Sequence, residues 1–161
     1  MTPFWTYRLP GRLPMLAAHK ATPGGHAVPP MPTPATPVTT DTLAAFAAAW
    51  NRHDIDALMG FMADDCEFHA VAGPDLLGRS FIGRDAVRQG FMAAWQTCPD
   101  ASWTDGVHWV SGDRGFSECT FRGTRADGLR IEARMVDVFT FRDGKIAVKN
   151  AFRKDRPAFK D

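Results

Sequence analysis

The 161-residue sequence is short of several things, and each shortage closes a class of function. Its three cysteines, Cys66, Cys98 and Cys119, are odd in number and form no C-x-x-C pair, so no disulfide framework is expected. No run approaches the roughly 18 apolar residues that a membrane span needs. The proline-broken start "MTPFWTYRLPGRLPMLAAHK" lacks the continuous apolar core of a signal peptide. Charge of one sign is missing as well: 19 basic residues against 18 acidic ones leave +1, too little for a nucleic-acid or membrane footprint. There is no H-E-x-x-H, no clustered Cys/His spacing and no calcium-loop pattern, so no metal is expected. The glycines of "GPDLLGRSFIG" have no phosphate-loop spacing, and the acidic run "ADDCE" reads as a solvated turn at a helix end. These absences leave a cytoplasmic protein without cofactor, nucleic-acid partner or membrane contact as the expectation.

What is present is ordinary globular material, 45% hydrophobic and 23% charged. Eight of the twelve prolines fall in the first 34 residues, which marks 1–40 as a disordered or polyproline-like arm, with Met31 as an alternative start. Residues 41–155 read as one domain and 156–161 as a solvated tail. Thr40 or Asp41 caps a first helix with Leu43, Phe46, Ala47 and Trp50 on one face. Asp54 caps a second, "IDALMGFMADD", and the short link predicts a helix hairpin. A short strand "CEFHAVA" follows. A third helix, "RDAVRQGFMAAWQTC", buries Val87, Phe91, Ala94 and Trp95 and stops at Pro99. The period then changes to two. Four runs, "SWTDGVHWVS", "GFSECTFRGT", "LRIEARMVDVFTFR" and "KIAVKNAFR", form an antiparallel meander, and helices followed by a curled sheet make an α+β domain.

One residue breaks the alternation. In "IEARMVDVFTF" the apolar row Ile131, Ala133, Met135, Phe139 and Phe141 contains Asp137. A turn at Asp143-Gly144 predicts the pairs Phe141 with Ile146, Phe139 with Val148, Met135 with Phe152, and Asp137 with Asn150. Folding around Asp127 pairs Cys119 with Met135 and Phe121 with Ala133, which sets Ser117 beside Asp137 and Arg122 opposite Glu132. Asp137 is therefore expected in a polar island with Ser117 and Asn150, because a buried carboxylate must be bonded, paired or neutral. Held neutral, it would donate to a carbonyl or enolate. A purely structural role, bonding backbone or a core side chain, stands equally.

His108 has two placements. A "GDRG" turn pairs it with Cys119 on the Asp137 face, as a second acid–base group. An inward row of Trp103, Val107 and Trp109 turns it outward instead. His69 is expected opposite the Phe68 face, and His53 in the turn between helices. Cys119 reads as a buried small hydrophobe.

The runs "FAAAWNRHDIDALMGFMADDCEFHAVAG", "FIGRDAVRQGF" and "DVFTFRDGKI" resemble the nuclear-transport-factor-2-like superfamily, and within it the SnoaL-like and ketosteroid-isomerase-like proteins, over about residues 41–155. The resemblance implies a cone of curved antiparallel sheet wrapped around about three helices, a central pocket and a homodimer. It also implies cofactor-free acid–base chemistry of isomerase, cyclase or dehydratase type on a small apolar carbonyl compound, or else binding of a hydrophobic ligand without turnover. Asp137 falls on the position of the isomerase's neutral acid, itself a worked case of carboxyl tuning. Phe46 and Ala70 stand where that enzyme has its Tyr and its Asp base, so steroid isomerisation is not expected. The expected lining is Phe46, Trp50, Phe68, Phe91, Trp95, Ser117, Cys119, Met135, Phe139 and Asn150, with Asp137 and His108 as catalytic candidates.

Overall fold

The computed structural model describes residues 36–160. The expected N-terminal arm lies outside these residues except for its last five, and there the boundary moves. Val38 is already buried in the core. Thr39, not Thr40 or Asp41, caps the first helix in a reciprocal capping box with Thr42. Helix α1 (Thr40–Asn51) buries Leu43, Phe46, Ala49 and Trp50. Helix α2 (Ile55–Phe61) is capped by Asp54, whose carboxylate accepts from Ala57 N.

α2 is shorter than expected. The chain leaves it at Met62 and runs straight into β1 (Met62–His69), so "ADDCE" is strand and not a helix-end turn. The cause is close by: Arg84 donates to the carbonyls of Met59 and Met62, both at 3.0 Å, and satisfies the end of the helix. Asp64 and Asp65 remain exposed and pair with Arg84 and Arg142. A three-residue strand unseen in the sequence, β2 (Ser80–Ile82), pairs with the end of β1. Helix α3 (Arg84–Thr97) lays Val87, Gly90 and Phe91 inward. A Cβ at Gly90 would stand 2.7 Å from the Phe81 ring, so only glycine lets β2 pack this closely on the helix.

The meander follows as expected in β3 (Ser102–Ser111), β4 (Arg114–Thr124), β5 (Arg130–Arg142) and β6 (Lys145–Arg153). The six strands run in the order β2-β1-β6-β5-β4-β3, with β1 parallel to β6 and every other neighbour antiparallel. The result is an α+β fold in which a mixed, curved and unclosed sheet holds three helices. Asn51 fastens α1 to the sheet by exchanging two bonds of 2.8 Å with the backbone of Trp103. The tail is not wholly free, since Phe159 forms a bridge with Arg130.

Register decides which side chains meet. The β4/β5 ladder is regular and matches expectation, with Ser117 opposite Asp137, Cys119 opposite Met135, and Arg122 opposite Glu132. β5/β6 begins as expected, Arg142 with Lys145 and Phe141 with Ile146, then bulges before Thr140 pairs with Val148. Beyond the bulge Phe139 faces Lys149, Asp137 faces Ala151 and Met135 faces Arg153. The expected partners Val148, Asn150 and Phe152 are each off by one, because Ala147 is the extra residue of a β-bulge. β3/β4 bulges too, between Thr104 and Val107, where Asp105 has φ 58°.

Candidate functional site

The two bulges sort the residues around Asp137. Asn150 pairs with Val138 on the outer face, so it leaves the expected polar island. Lys149 takes its place from the neighbouring position. Its Nζ donates to Asp137 Oδ1 at 2.6 Å, with Lys149 3% and Asp137 7% exposed. The ammonium also lies 5.0 Å from the Phe68 ring centroid and 5.5 Å from that of Trp50. Asp137 is thus a paired carboxylate rather than an isolated acid.

The β3 bulge settles the placement of His108. Trp103 faces inward and packs on Phe121 with centroids 5.3 Å apart, while beyond the bulge Val107 and Trp109 face outward and are exposed. His108 therefore faces inward, but it pairs with Ser117 and not Cys119, because the turn to β4 is a two-residue one at Gly112-Asp113. Its Nδ1 and the Ser117 hydroxyl share a 2.8 Å hydrogen bond. Burial pushes the His108 imidazole below its ordinary value. Register sets Ser117 next to Asp137, so His108, Ser117, Asp137 and Lys149 occupy neighbouring inward positions on four strands.

A cavity of about 510 Å³ adjoins this row at Lys149. Trp50 of α1, Phe68 of β1, Trp103 of β3, Phe121 of β4, Met135 of β5 and Lys149 of β6 line it, and Phe81, Gly90 and Arg79 close one side. Of the expected lining residues, Trp50, Phe68 and Met135 reach the cavity. Phe46, Phe91, Trp95 and Phe139 form the aromatic packing beneath and beside it, with Phe46 6.0 Å from Phe139 and Trp50 4.8 Å from Phe91 and 5.3 Å from Trp95. Asp137, His108, Ser117 and Cys119 are not part of the lining, and Asp137 touches it through its bond to Lys149. Burial first, and then the nearby Asp137 charge, push the Cys119 thiol up to about 12, so it holds its proton.

The other histidines are occupied elsewhere. His69 is buried between Ser80 Oγ at 2.8 Å and Glu67 at 3.3 Å, tying β1 to β2. His53 shares a 3.1 Å hydrogen bond with the Ala101 carbonyl and stacks on Trp95.

Lys149, Arg79 and Arg153 are the charged residues of the lining, and sequence reasoning missed all three. Lys149 was masked by the bulge, whose only sequence trace is the adjacent inward pair Ile146 and Ala147. The β3 bulge left a plainer trace, a glycine at 106 inside a strand pattern.

A small α+β domain with an open curved sheet, three covering helices and an aromatic cavity is the class this fold defines. Within it, the chain belongs to the SnoaL-like domain family, whose model matches residues 43–149. No curated protein matches the chain. Solved structures share the fold at low identity. A Pseudomonas putida protein provisionally named a polyketide cyclase is 21% identical, with a TM-score of 0.62 over 71% of this chain and 90% of its own. A Xanthomonas campestris protein named likewise is 24% identical, with a TM-score of 0.61 over 70% and 87%. A Catenulispora acidiphila protein described as having a ketosteroid isomerase-like fold, solved with trimethylamine, is 20% identical, with a TM-score of 0.62 over 71% and 86%.

Proposed function

We propose that this SnoaL-like protein takes a small apolar compound into the cavity, receives its carbonyl or enol oxygen on Lys149, and promotes cofactor-free chemistry of isomerase or cyclase type. The observation that carries the reading is a buried lysine lining an aromatic cavity, its ammonium bonded to a carboxylate outside the lining. A lysine has three donors. One is spent on Asp137, which fixes the side chain; the others are free for a ligand oxygen on which negative charge develops. In such a water-poor site a single preorganised donor of this kind contributes about 3 kcal/mol to stabilising an enolate-like transition state. Asp137 is then a positioning residue, and His108 with Ser117 belongs to the layer behind it. The names of the two cyclase-like structural neighbours support a carbonyl-bearing ligand.

Among the described residues no carboxylate or imidazole lines the cavity. That observation favours a second reading, binding without turnover. The two are separated with 2-acetylnaphthalene in deuterated buffer, following binding by calorimetry and loss of the methyl proton signal by NMR. Chemistry at the carbonyl predicts exchange faster than in buffer alone, abolished in Lys149→Met. Binding with exchange at the buffer rate would leave the second reading, and absence of binding would remove both.

A further inference from the structure

The polar capacity left unspent in the cavity is all of one kind. The Thr97 hydroxyl is committed to the Ala93 carbonyl at 2.9 Å, and burial keeps the Cys98 thiol protonated. Among the described residues no aspartate or glutamate lines the cavity, whereas Lys149, Arg79 and Arg153 do. Most of the described arginines, among them Arg84, Arg88, Arg122, Arg134 and Arg142, are paired with a carboxylate. Arg79 and Arg153 have no carboxylate partner among the described residues; Arg153 lies only against the Phe121 ring, at 5.4 Å. The indole N–H of Trp50, buried beside the cavity, has no acceptor either. Donors and cations are thus in surplus, and acceptors are missing. With a net charge of only +1 for the whole chain, this is a local arrangement and not a general basic surface.

We propose that the ligand is an apolar anion, a carboxylate or phenolate whose charge rests at the cavity mouth with Arg79 and Arg153 while its carbonyl oxygen reaches Lys149. This rests on the pocket reading above and adds the charge of the ligand to it. Spacing on β6 supports a two-point ligand. Lys149, Ala151 and Arg153 share one face, and four residues of strand span about 13 Å, the length of a fused bicyclic ring with a substituent at each end. Lys149 is already balanced by Asp137, so the uncompensated charge is that of the two arginines. A planar fork matched to a carboxylate makes arginine the fitting residue there.

The test uses two isosteres, 6-acetyl-2-naphthoate and 6-acetyl-2-naphthamide, titrated calorimetrically into the full chain at pH 7.5 and low salt. The expected result is that the naphthoate binds about tenfold more tightly, as two charge-assisted contacts at a half-solvated site allow. The Arg79→Gln/Arg153→Gln double variant, whose altered side chains are exposed and whose thermal unfolding should match wild type, is expected to bind the two probes equally. Raising salt from about 50 to 500 mM should weaken the naphthoate several-fold and leave the amide unchanged. Equal binding of the two probes by the wild type, or a preference that survives in the double variant, overturns the proposal while leaving the pocket reading intact. Failure of both probes to bind takes away both.

Discussion

Strand β5 carries ion pairs on both of its faces, and they live in different solvents. Inward, Asp137 meets Lys149 of β6 at 2.6 Å with both side chains almost wholly buried. Outward, Arg134 meets Glu118 at 2.5 Å and Glu132 meets Arg122 at 2.8 Å and Arg156 at 3.0 Å, with a third to a half of each side chain exposed. The contact distances hardly differ, yet the energetics do. On the outer face water and salt compete with each contact, and little is lost if one fails. On the inner face two charges have given up their hydration, and that cost is recovered only while each has the other. A buried pair of this sort is poor evidence for stabilisation and better evidence for a position that must be kept. Here that position is the Lys149 side chain in the cavity lining.

The sharpest way to break the comparison is to remove one inner partner. Asp137→Ala leaves the Lys149 charge buried and unpaired, and we expect a loss of about 3–5 kcal/mol in urea unfolding. Removing both charges together should behave otherwise. The double variant Asp137→Leu/Lys149→Met is expected to recover most of that loss, since a buried pair exchanged for apolar groups of similar volume is often neutral. It should nonetheless fail to hold 2-acetylnaphthalene by its oxygen. A double variant as unstable as the single one would mean that the pair itself, and not the orphaned charge, holds the strands together.

The same two faces show what could be read from the sequence. The β4/β5 ladder is regular, so strict alternation placed Ser117, Cys119, Met135 and Asp137 inward and Arg122 opposite Glu132. Caps, helical spacing and the change to a period of two supplied the helices, the meander and the α+β class, and resemblance to SnoaL-like proteins added the cone of curved sheet. Alternation failed wherever one extra residue entered a strand. Past Ala147 every expected β6 partner shifted by one, which exchanged Asn150 for Lys149 and with it a neutral partner for a cation. Before Asp105 and Gly106 Trp103 stayed inward, and past them Trp109 turned out, 43% exposed, and His108 turned in. Periodicity carries no record of a one-residue insertion, so the face of each residue is legible only up to the first bulge. Arg79 was hidden for a different reason: it lies in a loop, where neither period applies.

His108 offers a smaller effect on the inner face. Its imidazole is pushed below its ordinary value near 6.5 by burial, so as pH falls the unfolded chain binds a proton before the folded one does. The contribution of neutral His108 is therefore complete above about pH 6.5 and is lost as pH drops from there toward the lowered folded value. Unfolding midpoints measured at pH 7.5 and at pH 5 should differ more in the wild type than in His108→Asn, which keeps a partner for Ser117 without a titrating ring. Equal pH dependence in the two proteins would place the ring in solvent and undo the inward turn made by the β3 bulge.

The smallest effect belongs to the outer face. Glu118 holds the Arg134 guanidinium above its ordinary range, chiefly through their hydrogen bond, but neither side chain has lost its water. Cutting the contact with Glu118→Gln leaves Arg134 free to be solvated and still able to donate to Thr120 at 3.1 Å, so no orphaned charge results. The expected outcome is a slight drop in the unfolding midpoint at low salt that disappears at about 0.5 M, where screening reaches within a few ångströms. The Asp137→Ala loss should persist at the same salt, because Lys149 is almost wholly buried and ions do not reach it. Salt therefore tells the two faces apart without reference to the size of either effect. A Glu118→Gln loss that resisted salt would show this outer pair to be as desolvated as the inner one.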